Sequence, residues 1–202
     1  VPPDDPAAVY LLTLRNEADD ARRIRVAPYF QIVLAAQPEH AGPLRVQYEE
    51  PLDCVFFENP RNTFRTGPAF AATSCPADVV ETRRGRFFGA GRSAAHPAML
   101  ERGEPDASST DDDRPIAAFL TTLEIPPHSE RTIVVVLGQA DDRAQAEATI
   151  CKYRDPEAAL AALERTRDWW SRFLDTVQVT TRCAEFDRSL DWLKYQALTE
   201  RI

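Results

Sequence analysis

The segment IAAFLTTLEIPPHSERTIVVVL, residues 116–137, carries two apolar runs on either side of the paired turn residues Pro126 and Pro127. Residues 116–125 form the first run, and residues 133–137 form the second. Short apolar runs that end at turn residues are typical of strands, since a helix would show a 3.6-residue period. The segment therefore predicts two β-strands separated by a turn.

The same pattern extends towards the amino terminus. Further short apolar runs lie at residues 10–14, 24–26, 30–34, 44–48 and 54–57. Turn residues separate many of these runs, as in Thr66-Gly67-Pro68, and no long helical period interrupts the series. A parallel α/β sheet needs helices between its strands, so the pattern predicts a mainly β chain with an antiparallel β-sandwich over residues 1–140.

A 3.6-residue period replaces the strand pattern after Gly138. Asp142 with Gln145 resembles a capping box, and Asp155 precedes a proline at the first helical position. A third helix follows the extended sequence VQVTT, residues 177–181. These helices predict an α-helical linker over residues 141–202. The predicted apolar stripes are Leu160, Leu163, Trp170, Phe173 and Val177 on the second helix, and Phe186, Leu190, Leu193 and Ala197 on the third.

Two adjacent tryptophans and the two ends of the chain carry further expectations. Trp169 and Trp170 diverge by about 100° on a helix, so we expect Trp170 in the core and Trp169 against the sandwich or a neighbouring domain. The third helix reaches residues 200–202 without a glycine cap or a proline stop, which predicts continuation into a further domain. The opening VPPDDP and the single methionine, Met99, likewise indicate an excised fragment.

Composition limits the partners of this 202-residue chain. The formal net charge of −8 disfavours nucleic acid and anionic membranes, because phosphate-rich surfaces require a basic face, whereas neutral sugars remain open. No apolar stretch approaches the roughly 20 residues of a membrane span, so we expect a soluble segment without membrane contact. Four cysteines without CxxC or CxxH spacing predict reduced thiols in the cytoplasm, with no zinc site.

Several polar residues are predicted to have no chemical role. Residues 111–113, three consecutive aspartates, lack the alternating spacing of a calcium loop and are predicted to form a solvated loop, so no metal is expected. Glu49 and Glu50 would point to opposite faces of a strand and could not act together as acid and base on one glycosidic bond. His40 and His128 lie in turn-like contexts and are predicted to be surface residues.

The segment ETRRGRFFGAGRSAAHPAMLERG, residues 81–103, contains the candidate binding residues. Guanidinium groups suit anionic oxygens, but pairing with the chain's own acids explains the arginines of this segment equally well. Gly89 and Gly91 predict a tight turn or a close passage of the backbone along a ligand. His96 is a candidate donor to a sugar or phosphate oxygen, with a structural role as the alternative. The basic cluster consists of Arg83, Arg84, Arg86 and Arg92.

A succession of segments resembles one enzyme family. The chain resembles the amino-terminal region of the inverting glycoside phosphorylases, which include cellobiose and chitobiose phosphorylases, and most of all the phosphorylase-like part of cyclic β-1,2-glucan synthases. The segments that carry the resemblance are LTLRN (12–16), RIRVAPYF (23–30), FFENP (56–60), ETRRGRFFGAGRSAAHPAML (81–100), IPPHSERTIVVVLGQA (125–140), KYR (152–154), VQVTT (177–181) and LDWLKYQALTERI (190–202).

The resemblance implies a supersandwich and a helical linker that precede an (α/α)6 barrel. In that family an Asp of the barrel protonates the glycosidic oxygen while inorganic phosphate, a co-substrate, attacks the anomeric carbon. It therefore implies that this chain holds no catalytic residue, cofactor or metal and is inactive alone. The expected partners are a β-glucan or glucosyl oligosaccharide bound by the parent enzyme, the barrel in cis, and a second copy in a homodimer. The parent enzyme is expected in the cytoplasm, with an inner-membrane anchor in other segments left open.

The expected role is to shape the active-site entrance and the oligomer interface. The loop around Gly91 corresponds to a family segment near the sugar entrance, and the substrate-binding residues that we predict are Arg92, Ser93 and His96. Two functions of other classes stay open. One is a free-standing carbohydrate-binding sandwich that uses exposed aromatic side chains, and the other is a structural assembly module.

Overall fold

The computed structural model describes residues 1–35, 43–62, 65–109 and 114–199. Within these ranges nine strands precede three long helices, and two short helices lie between the seventh and eighth strands. The strands are β1 (Ala7–Asn16), β2 (Arg22–Val26), β3 (Tyr29–Gln31), β4 (Arg45–Glu49), β5 (Cys54–Glu58), β6 (Ala69–Thr73), β7 (Val79–Arg83), β8 (Pro115–Ile125) and β9 (Ser129–Gln139). The helices are α1 (Arg84–Phe88), α2 (Ala98–Arg102), α3 (Arg143–Tyr153), α4 (Pro156–Leu174) and α5 (Ala184–Thr199).

The strands form two antiparallel sheets. Sheet 1 has the order β1-β9-β6-β5-β4, and sheet 2 is built around β8, which pairs with β2, β3 and β7. The register of β2 on β8 continues into β3 without a shift, from Val26 opposite Thr121 to Tyr29 opposite Ala118. β2 and β3 therefore form one continuous strand along β8 that is interrupted at Pro28. The Pro28 carbonyl still accepts a hydrogen bond from the Phe119 amide at 3.2 Å. The predicted antiparallel β-sandwich is confirmed.

The central strands are apolar on both faces, and this makes the fold four layers deep. Because side chains alternate along a strand, Val55 and Phe57 face sheet 2, whereas Cys54 and Phe56 face the opposite way. Alternate residues of β8 divide in the same manner between the inter-sheet core and the outer face of sheet 2. Each outer face needs a cover, which α3 and α4 supply for sheet 1 and α1 and α2 supply for sheet 2.

Both predicted helix starts are confirmed by their hydrogen bonds. Asp142 accepts from the Gln145 amide at 2.8 Å, and the Gln145 side chain accepts in return from the Asp141 amide at 2.7 Å. Asp155 accepts from the Ala158 amide at 2.9 Å, one residue before the proline that begins α4. The helices therefore begin where the capping residues indicate.

The face of α4 that packs on sheet 1 is not the predicted apolar stripe. The helix packs on sheet 1 through Ala159 and Ala162, which are buried, while Leu160 and Leu163 are 53% and 36% exposed. Small residues let the helix backbone approach the sheet closely, so the contact face lies one position away from the larger side chains. Trp170 is also not a core residue, since it is half-buried like Trp169.

Two strands and two helices were not predicted. β6 reads AFAAT and is buried at every position, so its sequence does not alternate between apolar and polar residues, and Phe70 is its one large apolar side chain. β7 has an apolar run of only two residues, Val79 and Val80, and α1 and α2 are five residues long, which is too short for a helical period. The predicted strand at residues 30–34 is shorter than expected, because regular pairing stops at Gln31.

Other predictions concern surface residues. His128 is exposed as predicted and occupies the turn between β8 and β9 with a φ of 50°. His40, residues 111–113 and the end of the third helix at residues 200–202 lie outside the described residues.

None of the helices in the described ranges combines the length and the apolarity needed to cross a bilayer.

A cluster of three polar side chains ties the amino-terminal segment to α3. Asp5 accepts hydrogen bonds from Lys152 Nζ at 2.6 Å and from the Tyr153 hydroxyl. Burial acts to raise the pKa of Asp5, but these hydrogen bonds outweigh it and hold that pKa below the ordinary value of 3.8. The ionised carboxylate is therefore the form that joins the two segments.

We expect Asp5→Asn to lower the free energy of unfolding by about 1–2 kcal/mol at neutral pH, because it weakens two charge-assisted hydrogen bonds. A carboxylate with a depressed native pKa contributes stability above its unfolded pKa and loses it as the pH falls through the native pKa. The difference between variant and wild type should therefore shrink below about pH 4. Urea titrations across this range measure it, with Asp4→Asn as the matched control, and a difference independent of pH would contradict the account.

Gly138 lies near the carboxyl end of β9 and pairs with both β1 and β6. A Cβ atom there would lie 2.6 Å from the Pro6 carbonyl oxygen and 2.7 Å from Phe70 Cζ. We expect Gly138→Ala to lower the free energy of unfolding by roughly 1–3 kcal/mol through overpacking. Gly91→Ala is the comparison, since no atom lies within 4 Å of its Cβ and only its φ of +66° opposes the change. Equal thermal stability of Gly138→Ala and wild type in circular dichroism melts would disprove the steric account.

Candidate functional site

The loop between α1 and α2, residues 89–97, is the part of the chain that contains the predicted binding residues. Phe87 and Phe88 of α1 and Met99 of α2 are buried in the outer cluster of sheet 2, together with Ile116 and Leu120 of β8. Residues 90–96 are exposed above this base. The hydrophobic contacts fix both ends of the loop, and its middle faces solvent.

Two glycines allow the chain to turn between the helices. Gly89 has a φ of 84° and Gly91 a φ of 66°, a region that glycine occupies without strain, so the predicted tight turn is confirmed. A Cβ atom on Gly89 would lie 2.9 Å from Ala98 Cβ, which shows that α1 and α2 meet there. Asp106 closes the base of the loop by accepting from the Ala90 amide at 3.4 Å and the Ser108 hydroxyl at 2.6 Å. The Ser108 hydrogen bonds lower the pKa of Asp106.

Arg25 of β2 holds the carboxyl end of α2 in place. Its Nη1 donates to the carbonyl oxygens of Leu100 and Glu101 at 3.1 and 2.9 Å. These are among the carbonyls that a helix leaves without partners at its last turn. Gly103 then ends the helix in the left-handed conformation with its amide bonded to the Met99 carbonyl at 3.0 Å. This clamp positions Glu101 beside the loop.

Glu101 brings together two of the three predicted residues. One carboxylate oxygen accepts from Arg92 Nη1, and the other lies 3.1 Å from His96 Nδ1. Arg92 Nη1 also donates to the His96 carbonyl at 3.3 Å, so the arginine side chain connects the carboxyl end of the loop to α2. Arg92 lowers the pKa of Glu101, with a smaller contribution from His96.

Ser93 is not part of this ion-paired group. Its hydroxyl accepts from the Ala95 amide at 3.3 Å, and its carbonyl accepts from the His96 amide at 3.1 Å. These bonds shape a turn inside the loop. The remaining arginines of the segment are dispersed, since Arg86 Nε lies 3.3 Å from Glu81 without hydrogen-bond geometry and Arg84 packs 4.7 Å from the centre of the Phe88 ring. They do not form one anion site.

Sequence reasoning missed Glu101. It is the one acidic residue between Glu81 and Glu104, in a stretch that otherwise carries positive charges. That isolation is the signal that points to it as the partner of the neighbouring cations. Because Glu101 is held in its ionised form, it accepts hydrogen bonds and is poorly suited to protonate a leaving group. The site therefore offers exposed hydrogen-bonding groups of the kind that sugar hydroxyls use, rather than a catalytic pair.

Comparison with known proteins agrees with the architecture. Residues 1–156 match the family model described as glycosyl hydrolase 94, supersandwich domain. Over 201 residues the chain is 30% identical to the cyclic beta-(1,2)-glucan synthase NdvB of Rhizobium meliloti (strain 1021). That alignment covers 98% of this chain but 7% of the relative, so the chain spans a small part of the length of the protein that it matches. These findings confirm the resemblance, and the chain belongs to the glycosyl hydrolase 94 supersandwich family.

Proposed function

We propose that this chain is the non-catalytic supersandwich and linker portion of a longer enzyme that processes β-linked glucans. Its membership of the glycosyl hydrolase 94 supersandwich family supports the proposal, as does its similarity to a protein named cyclic beta-(1,2)-glucan synthase. In this proposal the catalytic residues lie in a separate barrel of the same polypeptide, where inorganic phosphate is the co-substrate. The parent enzyme is a carbohydrate-active phosphorylase or transferase, and this segment is inactive alone.

The observation that carries the proposal is the apolar surface of α4, α5 and their connection. Large side chains are exposed along all three parts, although α3 and the buried face of α4 are well packed on sheet 1. A surface of this kind marks a contact with another protein surface. The exposed residues are Leu160, Leu163, Val177, Val179, Phe186, Trp192, Leu193 and Tyr195.

The occupant that fits the proposal is the catalytic barrel in cis. A helix pair that leads away from a sandwich and carries apolar side chains on its free side is suited to pack against further helices. Glu101 hydrogen-bonds to Arg92 and His96, and we call these three residues the Arg92–Glu101–His96 group. The group lies in the layer that covers sheet 2, on the side of the sandwich away from α3 and α4. Its proposed role is to present donors to sugar hydroxyls at the entrance of the active site.

The proposal includes a cytoplasmic location of this segment. All four cysteines are free thiols, and Cys151 and Cys183 are exposed, which is typical of a reducing compartment. Burial raises the pKa of the Cys54 thiol, so that cysteine is a core residue rather than a nucleophile.

Sequencing the source gene past the codon for Ile202 tests the enzyme proposal. We expect an open frame that continues into a domain of repeated helices with an acid-bearing loop, and phosphate-dependent cleavage of β-1,2-glucan by the complete product. A stop codon at that position would contradict the proposal. Dimers of the 202-residue chain that persist at low concentration after such a result would favour the assembly function, with the apolar surface buried between two copies.

We expect Arg92→Ala in the complete gene product to raise KM for β-1,2-glucan about tenfold with little change in kcat, because a contact equal in ground and transition states affects binding alone. His96→Ala should act in the same direction. Arg83→Ala is the matched control, since it removes an exposed arginine of the same segment. An unchanged KM in Arg92→Ala, or an equal rise in the control, would exclude a substrate-binding role for the loop.

A further inference from the structure

A cleft of about 180 Å³ lies between the amino-terminal residues and the helices α3 and α4. Pro2, Pro3 and Asp4 form one wall, and Lys152, Tyr153 and residues of α4 form the other. It is located on the outer side of sheet 1, whereas the Arg92–Glu101–His96 group belongs to the layer outside sheet 2. The two sites are therefore on opposite sides of the sandwich.

Trp169 supplies an aromatic surface whose orientation is fixed by its neighbours. Its ring lies parallel to that of Phe173, with centroids 5.6 Å apart, and meets Trp170 edge-on at 5.0 Å. The indole lines the cleft and is half-buried. An aromatic ring that is held in place and partly open to a cleft is the type of surface on which a sugar ring stacks.

Charged side chains of both signs surround this ring. Arg165 and Arg172 are seven residues apart on α4, so they lie on the same side of the helix and flank Trp169. Arg172 Nε donates to the Asp168 carbonyl at 3.2 Å, which leaves the terminal nitrogens of its guanidinium for other partners. In the part of the chain that the structure describes, Arg165 makes no hydrogen bond or ion pair. Asp4 and Asp168 bring two carboxylates to the same cleft.

This mixture of groups selects between two ligand classes. An anion such as phosphate would be attracted by the arginines but repelled by the two carboxylates, and the third cation of the cleft, Lys152, is already bound to Asp5. Sugar hydroxyls both donate and accept hydrogen bonds, so they can use the arginine donors and the aspartate acceptors at once. The chemistry of the cleft therefore favours a neutral polyhydroxyl ligand with an apolar ring face.

We propose that this cleft binds one neutral hexopyranose unit, which stacks on Trp169 and hydrogen-bonds to Arg165, Arg172 and the neighbouring aspartates. That the hexose is a glucosyl unit of a β-glucan rests on the proposed function. The site holds a glucan on the side of the sandwich away from the Arg92 loop, as an anchoring contact that takes no part in bond cleavage.

Calorimetric and tryptophan-fluorescence titrations of the 202-residue chain with a β-1,2-linked glucooligosaccharide test the proposal. We expect saturable binding, a roughly fivefold to tenfold rise in Kd for Arg165→Ala through the loss of hydrogen bonds, and a rise of about tenfold for Trp169→Ala through the loss of stacking. Trp169→Phe should retain part of the affinity, because it keeps an aromatic ring beside Phe173. Arg167→Ala is the matched control, since Arg167 lies on the same helix but pairs with Glu164 outside the cleft.

Arg165 is exposed and unpaired among the described residues, so its replacement leaves the fold intact even if Trp169→Ala is destabilised. Wild-type Kd values for Arg165→Ala and Trp169→Phe would overturn the proposal, as would the absence of saturable sugar binding or tighter binding of inorganic phosphate. If Arg92→Ala lost the affinity for the sugar and Arg165→Ala retained it, the sugar would bind at the Arg92–Glu101–His96 group. That result would overturn the proposal of a binding cleft and would support the proposed function. Gene continuation past Ile202 remains an independent test of that function.

Discussion

Burial of the central strands on both faces is the constraint on which the rest of this structure depends. β5, β6, β8 and β9 place apolar side chains on alternate sides, so neither sheet has a face that water can cover without loss of hydrophobic free energy. Packing the sheets together covers one face of each. The remaining faces require helices, and the fold uses α1 and α2 on one side and α3 and α4 on the other.

Polar interactions then fix where these helices lie. The Arg143 guanidinium packs 3.4 Å from the centre of the Phe56 ring and pairs with Glu49 and Glu147, which anchors the start of α3 over sheet 1. Asp5 anchors its other end. On sheet 2, Arg25 of β2 anchors the carboxyl end of α2 through hydrogen bonds to the Leu100 and Glu101 carbonyls. Apolar contacts supply the driving force for covering each sheet, and these charged groups select one arrangement of the cover.

The same two covers carry the features of functional interest. Short helices joined by a glycine-containing loop leave residues 90–96 exposed above sheet 2, and Glu101 holds Arg92 and His96 in a defined geometry there. On the other side, α4 uses only alanines to reach sheet 1, so its larger side chains remain outside. Some of those side chains contribute to the exposed apolar surface of α4 and α5, and others of them line the cleft beside Trp169. A supersandwich of this kind thus presents distinct chemistry on its two outer layers.

The sequence by itself determined the antiparallel sandwich, the positions of the helix starts and the family resemblance, because alternation, turn residues and capping oxygens act over a few neighbouring residues. Its glycines and its concentration of positive charge also pointed to the loop that contains the candidate residues Arg92, Ser93 and His96. Only the tertiary structure decided that β6 is a strand, since an alanine-rich segment buried on both faces has no local signal. The tertiary structure likewise decided which face of α4 is buried, because the close approach of Ala159 and Ala162 depends on sheet 1. It also decided that Arg92 and His96 share Glu101, because the position of the Glu101 carboxylate depends on how Arg25 of β2 holds the end of α2.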